Sequence, residues 1–381
     1  MKILFISHSY PPIKGGVESQ NYNLAQGLSK IATVKIIANG RGKIWLPIFL
    51  PLTFIRAFFI MTTYDVCLVG NGVLAPIAAT LKFFHPRKKF FSVVHGLDIT
   101  YIYKPGLLPK IYKSINIPSL KKLDKIFMVG RPTVEEAVKA GIPEKQCRVI
   151  HNGVPVTEFR ENHTKEELAR LLELDIKGKK VVLRLARFVP HKGTDWFIRN
   201  IMPRLPENVC LVATGYRVSK NNAGDPDNFT ACERAIKECQ LENKVKLLPN
   251  LDQKDLLVLL NTCDLYVSPN IKYPGSMEGF GINVIEAGAC ERVVVASDLE
   301  GLAEAIQNGK NGFLVDPENV DQWTKKIMAI LNAGPEFIEN FGKLAGQYVE
   351  ENYSWEKICE KYLEEMKYET RSTKHETNSN Y

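Results

Sequence analysis

Apolar and polar positions along the chain follow two rhythms. The runs KILFIS (2–7), ATVKIIA (32–38), DVCLVG (65–70), KFFSVVH (89–95), DKIFMVG (124–130) and CRVIHNG (147–153) predict strands buried on both faces, as in a parallel sheet. Between the first two, Val17–Ser29 sets Leu24, Ala25 and Leu28 at helical spacing. Thr133 and Glu136 read as a T-x-x-E capping box opening a short helix that Gly141 and Pro143 close. A polar, charged stretch, Arg160–Lys180, suits a linker, and the rhythm then restarts. KKVVLRLA (179–186), VCLVATG (209–215), KVKLLP (244–249), LYVSPN (265–270), RVVVAS (292–297) and GFLV (312–315) predict strands. Helical spacing recurs over Trp196–Met202, Thr230–Cys239, Gln253–Asn261, Ile282–Cys290 and Leu302–Gln307. The expected architecture is α/β: two doubly wound, Rossmann-like halves facing a cleft. Beyond Val320 the pattern is helical, ending in SWEKICEKYLEEMKY (354–368), and Glu369–Tyr381 is polar enough to be a disordered tail.

Composition narrows the class only a little. At roughly 150 residues per domain, 381 residues suit two domains, and 45% hydrophobic with 24% charged residues argues against a collagenous, coiled-coil or disordered chain. The cysteines stand singly at 67, 147, 210, 232, 239, 263, 290 and 359, without a C-x-x-C pair or a Cys/His cluster at metal-ligand spacing. A reduced, cytosolic chain without structural zinc is expected. Residues 1–10 lack the cationic segment and long apolar run of a secretory signal, which points the same way.

Charge changes the picture more. Residues 1–150 carry 21 Lys and Arg against 7 Asp and Glu, whereas the whole chain has 50 against 42, so the remainder is net acidic. A basic N-terminal half fits nucleic acid or anionic lipid headgroups. From Ile44 to Tyr64, 21 residues hold one charge, Arg56, which meets the length for a membrane span, yet Pro47 and Pro51 interrupt its first half. Three readings stay open: a spanning helix, a helix buried between strands, and a surface that dips into lipid or grips an apolar acceptor. Lys104–Lys125 alternates Lys with Ile, Leu and Tyr as an interfacial segment does.

The densest candidate chemistry is SMEGFGINVIEAGAC (276–290). Gly279 and Gly281 bracket Phe280 ahead of a helix beginning near Ile282, so unhindered N–H groups and the positive helix end can face a phosphate. Glu286 falls in the first turns of that helix, placed to accept from ribose hydroxyls, while Glu278 in the loop can reach a sugar beyond the phosphates. In RLARFVPHKG (184–193), Arg187 and Lys192 offer a planar fork and a point charge to a diphosphate at a sheet edge. In SHSYPPIKGGVE (7–18), Gly15 and Gly16 form a turn between a strand and a helix opened by Glu18, and VVHGLD (93–98) puts His95, Gly96 and Asp98 just after a strand. Singly, each has a plain structural reading as a cap, a surface charge, a tight turn or a core histidine.

Together these motifs resemble the GT-B glycosyltransferases of the large retaining family 4. P-P-x-x-G-G-x-E is Pro11–Glu18, H-G-x-D is His95–Asp98, N-G-V is Asn152–Val154, R-x-x-x-x-K-G is Arg187–Gly193, and E-G-F-G-x-x-x-x-E is Glu278–Glu286. The terminal YSWEKICEKYL also resembles the helix that in this family crosses back to the N-terminal domain. The resemblance implies an acceptor-binding domain over 1–165, rejoined by about 352–368, and a donor-binding domain over 176–351. It implies that Arg187 and Lys192 neutralise a nucleoside diphosphate leaving group. Gly15, Gly16, Gly279, Phe280, Gly281 and Ile282 would give backbone contacts to phosphates or sugar. Glu286 would hold the ribose, Glu278 the transferred sugar, and His95 would flank the anomeric centre with Asp98 near the acceptor. The implied reaction is hexose transfer with retention, without cofactor or metal, onto a lipid-linked saccharide or glycolipid of cell-envelope polysaccharide synthesis. The implied setting is the cytoplasm, on the inner face of the plasma membrane, with anionic lipid against the basic half and no nucleic acid.

Departures from the family pattern are Ala186 and Glu300, where Gly is usual, and Glu291-Arg292 in place of Gly-x. Asp225-x-Asp227 resembles a metal-binding D-x-D but sits among Asn, Gly and Pro, as a plain loop does. Two other functions remain open. A nucleotide-sugar epimerase of the same fold would yield altered sugar without an acceptor. A nucleic-acid-binding protein would rest on the basic half alone, in which aromatic residues are not interleaved as stacking platforms. Donor base and sugar depend on the loops around Thr214–Arg217 and Leu248–Leu251.

Overall fold

The computed structural model describes residues 1–13, 15–217 and 227–378. The chain forms two compact units, Met1–Gly153 with Ser354–Tyr381, and Val154–Tyr353. The change of unit falls at Gly153/Val154, ahead of the expected 165–176 boundary. What reads as linker carries the helix Lys165–Leu172, with Leu168 and Leu172 buried and a full capping box from Thr164 and Glu167.

The first unit is built on six parallel strands: β1 (Lys2–Ser7), β2 (Thr33–Ala38), β3 (Val66–Val69), β4 (Lys89–Val94), β5 (Lys125–Met128) and β6 (Cys147–Val149). Their order is β2-β1-β3-β4-β5-β6. The chain steps out from β1 to β2 and returns past β1 to β3, so the strand order reverses between β1 and β3. In the second unit β7 (Lys180–Leu185), β8 (Val209–Gly215), β9 (Val245–Pro249), β10 (Leu265–Ser268), β11 (Val294–Ser297) and β12 (Phe313–Val315) take the order β12-β11-β10-β7-β8-β9. Here the reversal lies between β7 and β10, which pair with Val182 opposite Leu265 and Leu183 opposite Tyr266. Both sheets are doubly wound because their strands are apolar along their length: Ile3–Ile6 and Val181–Leu183 are fully buried, which requires helices on both faces. Loops leaving the carboxyl ends at a reversal diverge to opposite faces and leave room for a ligand.

Three local expectations are corrected. Thr133 and Glu136 do not cap a helix: the helix Arg131–Lys139 starts two residues before Thr133, with Gly130 at its N-cap, and Thr133 is buried in its first turn. Gly141, in the left-handed region at φ +89°, does close it. The segment after Glu369 is not a disordered tail over its described part, because the final helix runs Trp355–Asn378. Ile358, Cys359, Tyr362 and Met366 anchor it in the first unit, where Cys359 Sγ meets the Leu24 carbonyl. Glu, Lys and Arg are good helix formers, so a polar sequence is compatible with a continued helix.

The third correction concerns Ile44–Tyr64, where the prolines do not break the helix. Leu46–Ile60 is continuous, with Pro47 in the first turn and Pro51 inside. One side packs into the core through Thr53, Ala57 and Met61, with Phe54 and Phe58 partly covered. The opposite stripe, Ile48, Leu52, Ile55 and Phe59, is exposed at i, i+4, i+7 and i+11. The helix Ala75–Phe84 packs against both this helix and the helix Leu107–Lys121, and these neighbours expose Phe83, Phe84, Leu107, Leu108, Ile111 and Ile115.

Candidate functional site

In the second unit the loops after β7 and β10 converge at the strand reversal. One glycine allows this approach, and a second lets the end of β8 close on the loop after β7. Gly193, φ +65°, sits where a Cβ would run into the Pro269 carbonyl oxygen, and at Gly215, φ +143°, a Cβ would strike the Ala186 carbonyl. Gly193→Ala is expected to destabilise the protein by about 2–4 kcal/mol through backbone strain and overpacking, checked by the urea midpoint of unfolding. A midpoint shift below a few tenths of a molar would count against this packing.

At the floor lies Arg184, a fully buried guanidinium in the strand Lys180–Leu185, flanked by Val181–Leu183 and Leu185. It donates to Ser268 Oγ at 3.0 Å, to the Lys192 carbonyl at 2.8 Å and to Asn270 Oδ1 at 2.9 Å. Above it the Lys192 ammonium pairs with the Glu278 carboxylate, both almost wholly buried. Asn270 Nδ2 donates to the same carboxylate oxygen at 3.0 Å. Burial pushes the Glu278 carboxyl up, but the Lys192 charge and hydrogen bond outweigh it and hold the group at about 2. His191, whose Nδ1 meets Ser276 Oγ at 2.8 Å, is driven down to about 3 by burial and then by the Lys192 charge, so its ring is neutral. Arg187 is exposed, forms no ion pair among the described residues, and stands close enough to depress both His191 and Lys192. Three cations, Arg184, Arg187 and Lys192, thus gather where Glu278 is the paired anion.

The next segment presents amide donors to that charge. Gly281, at φ +83°, N-caps the helix Ile282–Ala289, and the N–H groups of Gly279, Gly281 and Ile282 donate to no acceptor among the described residues. Phe280 is buried edge-on to Tyr353, which anchors the loop. Four residues into the helix, Glu286 is half-buried, its carboxylate has no hydrogen bond or ion pair among the described residues, and burial raises that carboxyl to about 7. An anion-binding helix start, three cations and an unpaired carboxylate together fit a phosphate-bearing ligand with hydroxyls.

In the first unit the loops after β3 and β4 are tied together. Asp98 Oδ2 accepts from the N–H groups of Gly72 at 3.0 Å and His95 at 3.2 Å, and His95 Nε2 donates to the Gly70 carbonyl at 2.9 Å. That leaves the His95 Nδ1 edge for a ligand, while the Asp98 oxygen is committed to the loops. Gly15, at φ 164°, is extended rather than turned, so the expected tight turn is absent there, whereas Gly16 opens the helix Gly16–Ile31 with open space where its Cβ would stand. Asn152 accepts from Gln20 inside this unit.

Arg187, Lys192, Glu278, Gly279, Phe280, Gly281, Ile282 and Glu286 share one region of the second unit, and His95, Gly15 and Gly16 lie on carboxyl-edge loops of the first. Sequence reasoning missed Arg184, Asn270 and Glu300. For Arg184 the signal was present, a charge in the interior of a strand otherwise apolar after Lys180. Both glutamates at family glycine places adopt the left-handed backbone, Glu291 at φ +59° and Glu300 at φ +50°. Asp225 lies outside the described residues, and Asp227 is engaged by Arg217 at 3.1 Å and by the Phe229 N–H at 3.1 Å.

Two doubly wound units, each with polar groups at its strand reversal, define the GT-B class of fold. Anabaena HepE in complex with UDP superposes with a TM-score of 0.76 and 20% identity, covering 96% of this chain and 100% of that one. Residues 14–158 match the family profile Glycosyltransferase Family 4 and residues 170–348 match Glycosyl transferases group 1. The chain belongs to the family 4-like GT-B glycosyltransferases. Among curated relatives, an N,N'-diacetylbacillosaminyl-diphospho-undecaprenol alpha-1,3-N-acetylgalactosaminyltransferase of Campylobacter jejuni subsp. jejuni serotype O:2 is 29% identical over 63% of this chain and 61% of its own length. A D-inositol 3-phosphate glycosyltransferase of Mycobacterium sp. (strain KMS) is 32% identical over 49% of this chain and 40% of its own length. The matches thus span less than two thirds of these relatives.

Proposed function

We propose that this protein transfers a hexose-type sugar, with retention, from a nucleoside diphosphate sugar to a lipid-linked saccharide or glycolipid in cell-envelope polysaccharide synthesis. The observation that supports the reading is the cluster at the second unit's strand reversal, where Arg187 and Lys192 and the unengaged N–H groups of Gly279, Gly281 and Ile282 are donors suited to a diphosphate. Lys192 has three N–H donors and gives one to Glu278, so the ammonium can serve a phosphate and stay paired. The acceptor hydroxyl attacks the anomeric carbon as the bond to the diphosphate oxygen breaks, and that oxygen takes the hydroxyl proton. Positive charge arranged beforehand stabilises the leaving group, and positioning supplies the rest. Glu286 accepts from the ribose and Glu278 from the sugar, and on the first unit the Nδ1 edge of His95 is the group kept for a ligand. In this reading the second unit binds donor and the first binds acceptor. HepE was solved with UDP, and the Campylobacter relative is named for a diphospho-undecaprenol acceptor, which supports a donor and an acceptor of these classes.

Charge neutralisation falls to Arg187 and Lys192, so donor binding is expected to survive a chelator. Thermal stabilisation by a panel of nucleoside diphosphate sugars tests the site, since a ligand at 100 times its Kd adds about 2.7 kcal/mol. Arg187→Ala is expected to weaken the stabilising donor about tenfold to a hundredfold. Undiminished stabilisation in Arg187→Ala would remove that residue from the site. Release of epimerised sugar without acceptor would favour the epimerase reading instead.

The reading also places the protein on the cytoplasmic face of the plasma membrane, with the first unit against anionic lipid. Its support is the exposed apolar stripe of Leu46–Ile60 beside the apolar residues of the two neighbouring helices. Between residues 44 and 123 there are 10 Lys and Arg against Asp65 and Asp98 alone. Both acids are occupied, Asp65 by the Lys2 N–H at 2.8 Å and Asp98 by its loops. A helix apolar on both sides, with one side packed in protein, has its other side suited to the interface plane. Leu52→Asp with Phe59→Asp is expected to abolish sedimentation with phosphatidylglycerol vesicles and leave donor stabilisation intact. Equal binding of the unaltered protein to neutral phosphatidylcholine vesicles, or tighter salt-sensitive binding to nucleic acid, would overturn the placement.

A further inference from the structure

We propose that Glu300 is a positioning residue that holds Glu278 in its sugar-facing geometry, so that this chain distinguishes a sugar-bearing nucleoside diphosphate from a bare one. The inference rests on the donor reading above and concerns a residue that departs from the family pattern, a glutamate where glycine is usual. Glu300 opens the helix Glu300–Ala305 from the carboxyl end of β11, at φ +50°, a backbone region that favours glycine. Its carboxylate Oε2 accepts the Glu278 N–H at 2.6 Å. The next residue, Gly301, donates its own N–H to the Glu278 carbonyl at 3.1 Å. A Cβ at Gly301 would collide with the Gly279 and Phe280 backbone, so the dipeptide lies flush beneath the loop. Both backbone polar groups of Glu278 are therefore clamped by Glu300–Gly301, while its side chain is fixed on Lys192 and Asn270.

Of the amides in this loop, the Glu300 carboxylate takes the one on Glu278, and those of Gly279, Gly281 and Ile282 stay unengaged. The clamp also sets a second carboxylate within electrostatic reach of Glu278, Lys192 and Lys272, and burial raises its affinity for a proton. A glycine here would supply the backbone conformation without strain but no acceptor. The side chain stands at a strained position, and among the described residues its carboxylate accepts from the residue assigned to the sugar. The sugar-facing carboxylate is thereby held by its main chain as well as by its charge partner.

The test compares the unaltered protein with Glu300→Gly and Glu300→Gln, using UDP, GDP and their glucose and mannose conjugates as probes, with Kd from calorimetry and amide hydrogen exchange of the 270–281 segment. In Glu300→Gly the expected result is at least tenfold faster exchange at the Glu278 amide. Kd for the bare nucleoside diphosphate should stay within twofold, and the extra affinity for its sugar conjugate should fall at least tenfold. Glu300→Gln keeps an oxygen acceptor and should recover most of both. Unaltered exchange and an unaltered ratio of sugar to bare affinities in Glu300→Gly would overturn the role of Glu300, as would an equal loss for both ligands, which marks a merely structural residue. An unaltered protein that binds none of the probes but shows the exchange difference would overturn the donor reading and leave the clamp standing.

Discussion

Replacing Lys192 with alanine is expected to remove donor binding and to destabilise the folded protein by about 3–5 kcal/mol at pH 7, the usual penalty for stranding one partner of a buried ion pair. Without the ammonium, the Glu278 carboxylate keeps Asn270 Nδ2 as its remaining side-chain partner in an almost fully buried place. The pH dependence separates this cause from simple loss of packing. Glu278 titrates at about 2 in the folded protein against an ordinary 4.5, so the ion pair stabilises the fold above the ordinary value and that contribution fades as pH falls toward 2. Urea unfolding should therefore show a large deficit for Lys192→Ala at pH 7 and a much smaller one near pH 3. An equal deficit at both values would mean that the pair contributes little and that the lysine stem alone matters.

Glu286→Gln should act in the opposite direction on stability while still weakening donor binding. Burial raises the Glu286 carboxyl to about 7, so the folded state favours its protonated form. The associated stability is complete below the ordinary 4.5 and is lost as pH rises through 7, leaving a desolvated anion above it. The neutral amide is expected to make the ligand-free protein about 1–3 kcal/mol more stable at pH 8. A ribose hydroxyl donates best to the ionised carboxylate, so donor affinity of the unaltered protein should be about tenfold weaker at pH 6 than at pH 8, and nearly flat with pH in Glu286→Gln. Isothermal titration at both pH values, with thermal melts of the ligand-free proteins, checks both halves. A variant less stable than the parent at pH 8 would refute the assignment of an unpaired, desolvated carboxylate. A pH-independent parent would detach Glu286 from the donor.

The two predictions share an origin in how the site is assembled. Lys192 and Glu278 are 86 residues apart, and meet because β7 and β10, on either side of the strand reversal, are hydrogen-bonded neighbours. Arg184 and Asn270 are tied in the same way beneath them. Glu300 reaches the loop from β11, the next strand outward. The result is a charge cluster whose members arrive from three strand ends, with Arg184, Lys192, Glu278 and Glu300 each held by a group on another and Arg187 exposed beside them.

Much of this was legible along the chain. Short apolar runs marked all twelve strands, although β2 and β6 at the sheet edge are not buried on both faces as expected, and glycines ahead of a helix start marked the loop beginning at Gly279. Helix starts were less legible, because a T-x-x-E pattern acts as a capping box only when the threonine is at the N-cap. Thr164 is there, and Thr133 is already inside its helix. The proline-bearing segment 46–60 was equally ambiguous, since a sequence records apolarity but not which stripe meets protein. Short-range periodicity therefore decided the elements and the motif positions. Only the tertiary structure decided that Glu278 is pinned by Glu300, that Arg184 lies beneath Lys192, and that Glu286 stands unpaired. Ion pairing and desolvation depend on distances across strands far apart in the chain, which no local pattern encodes.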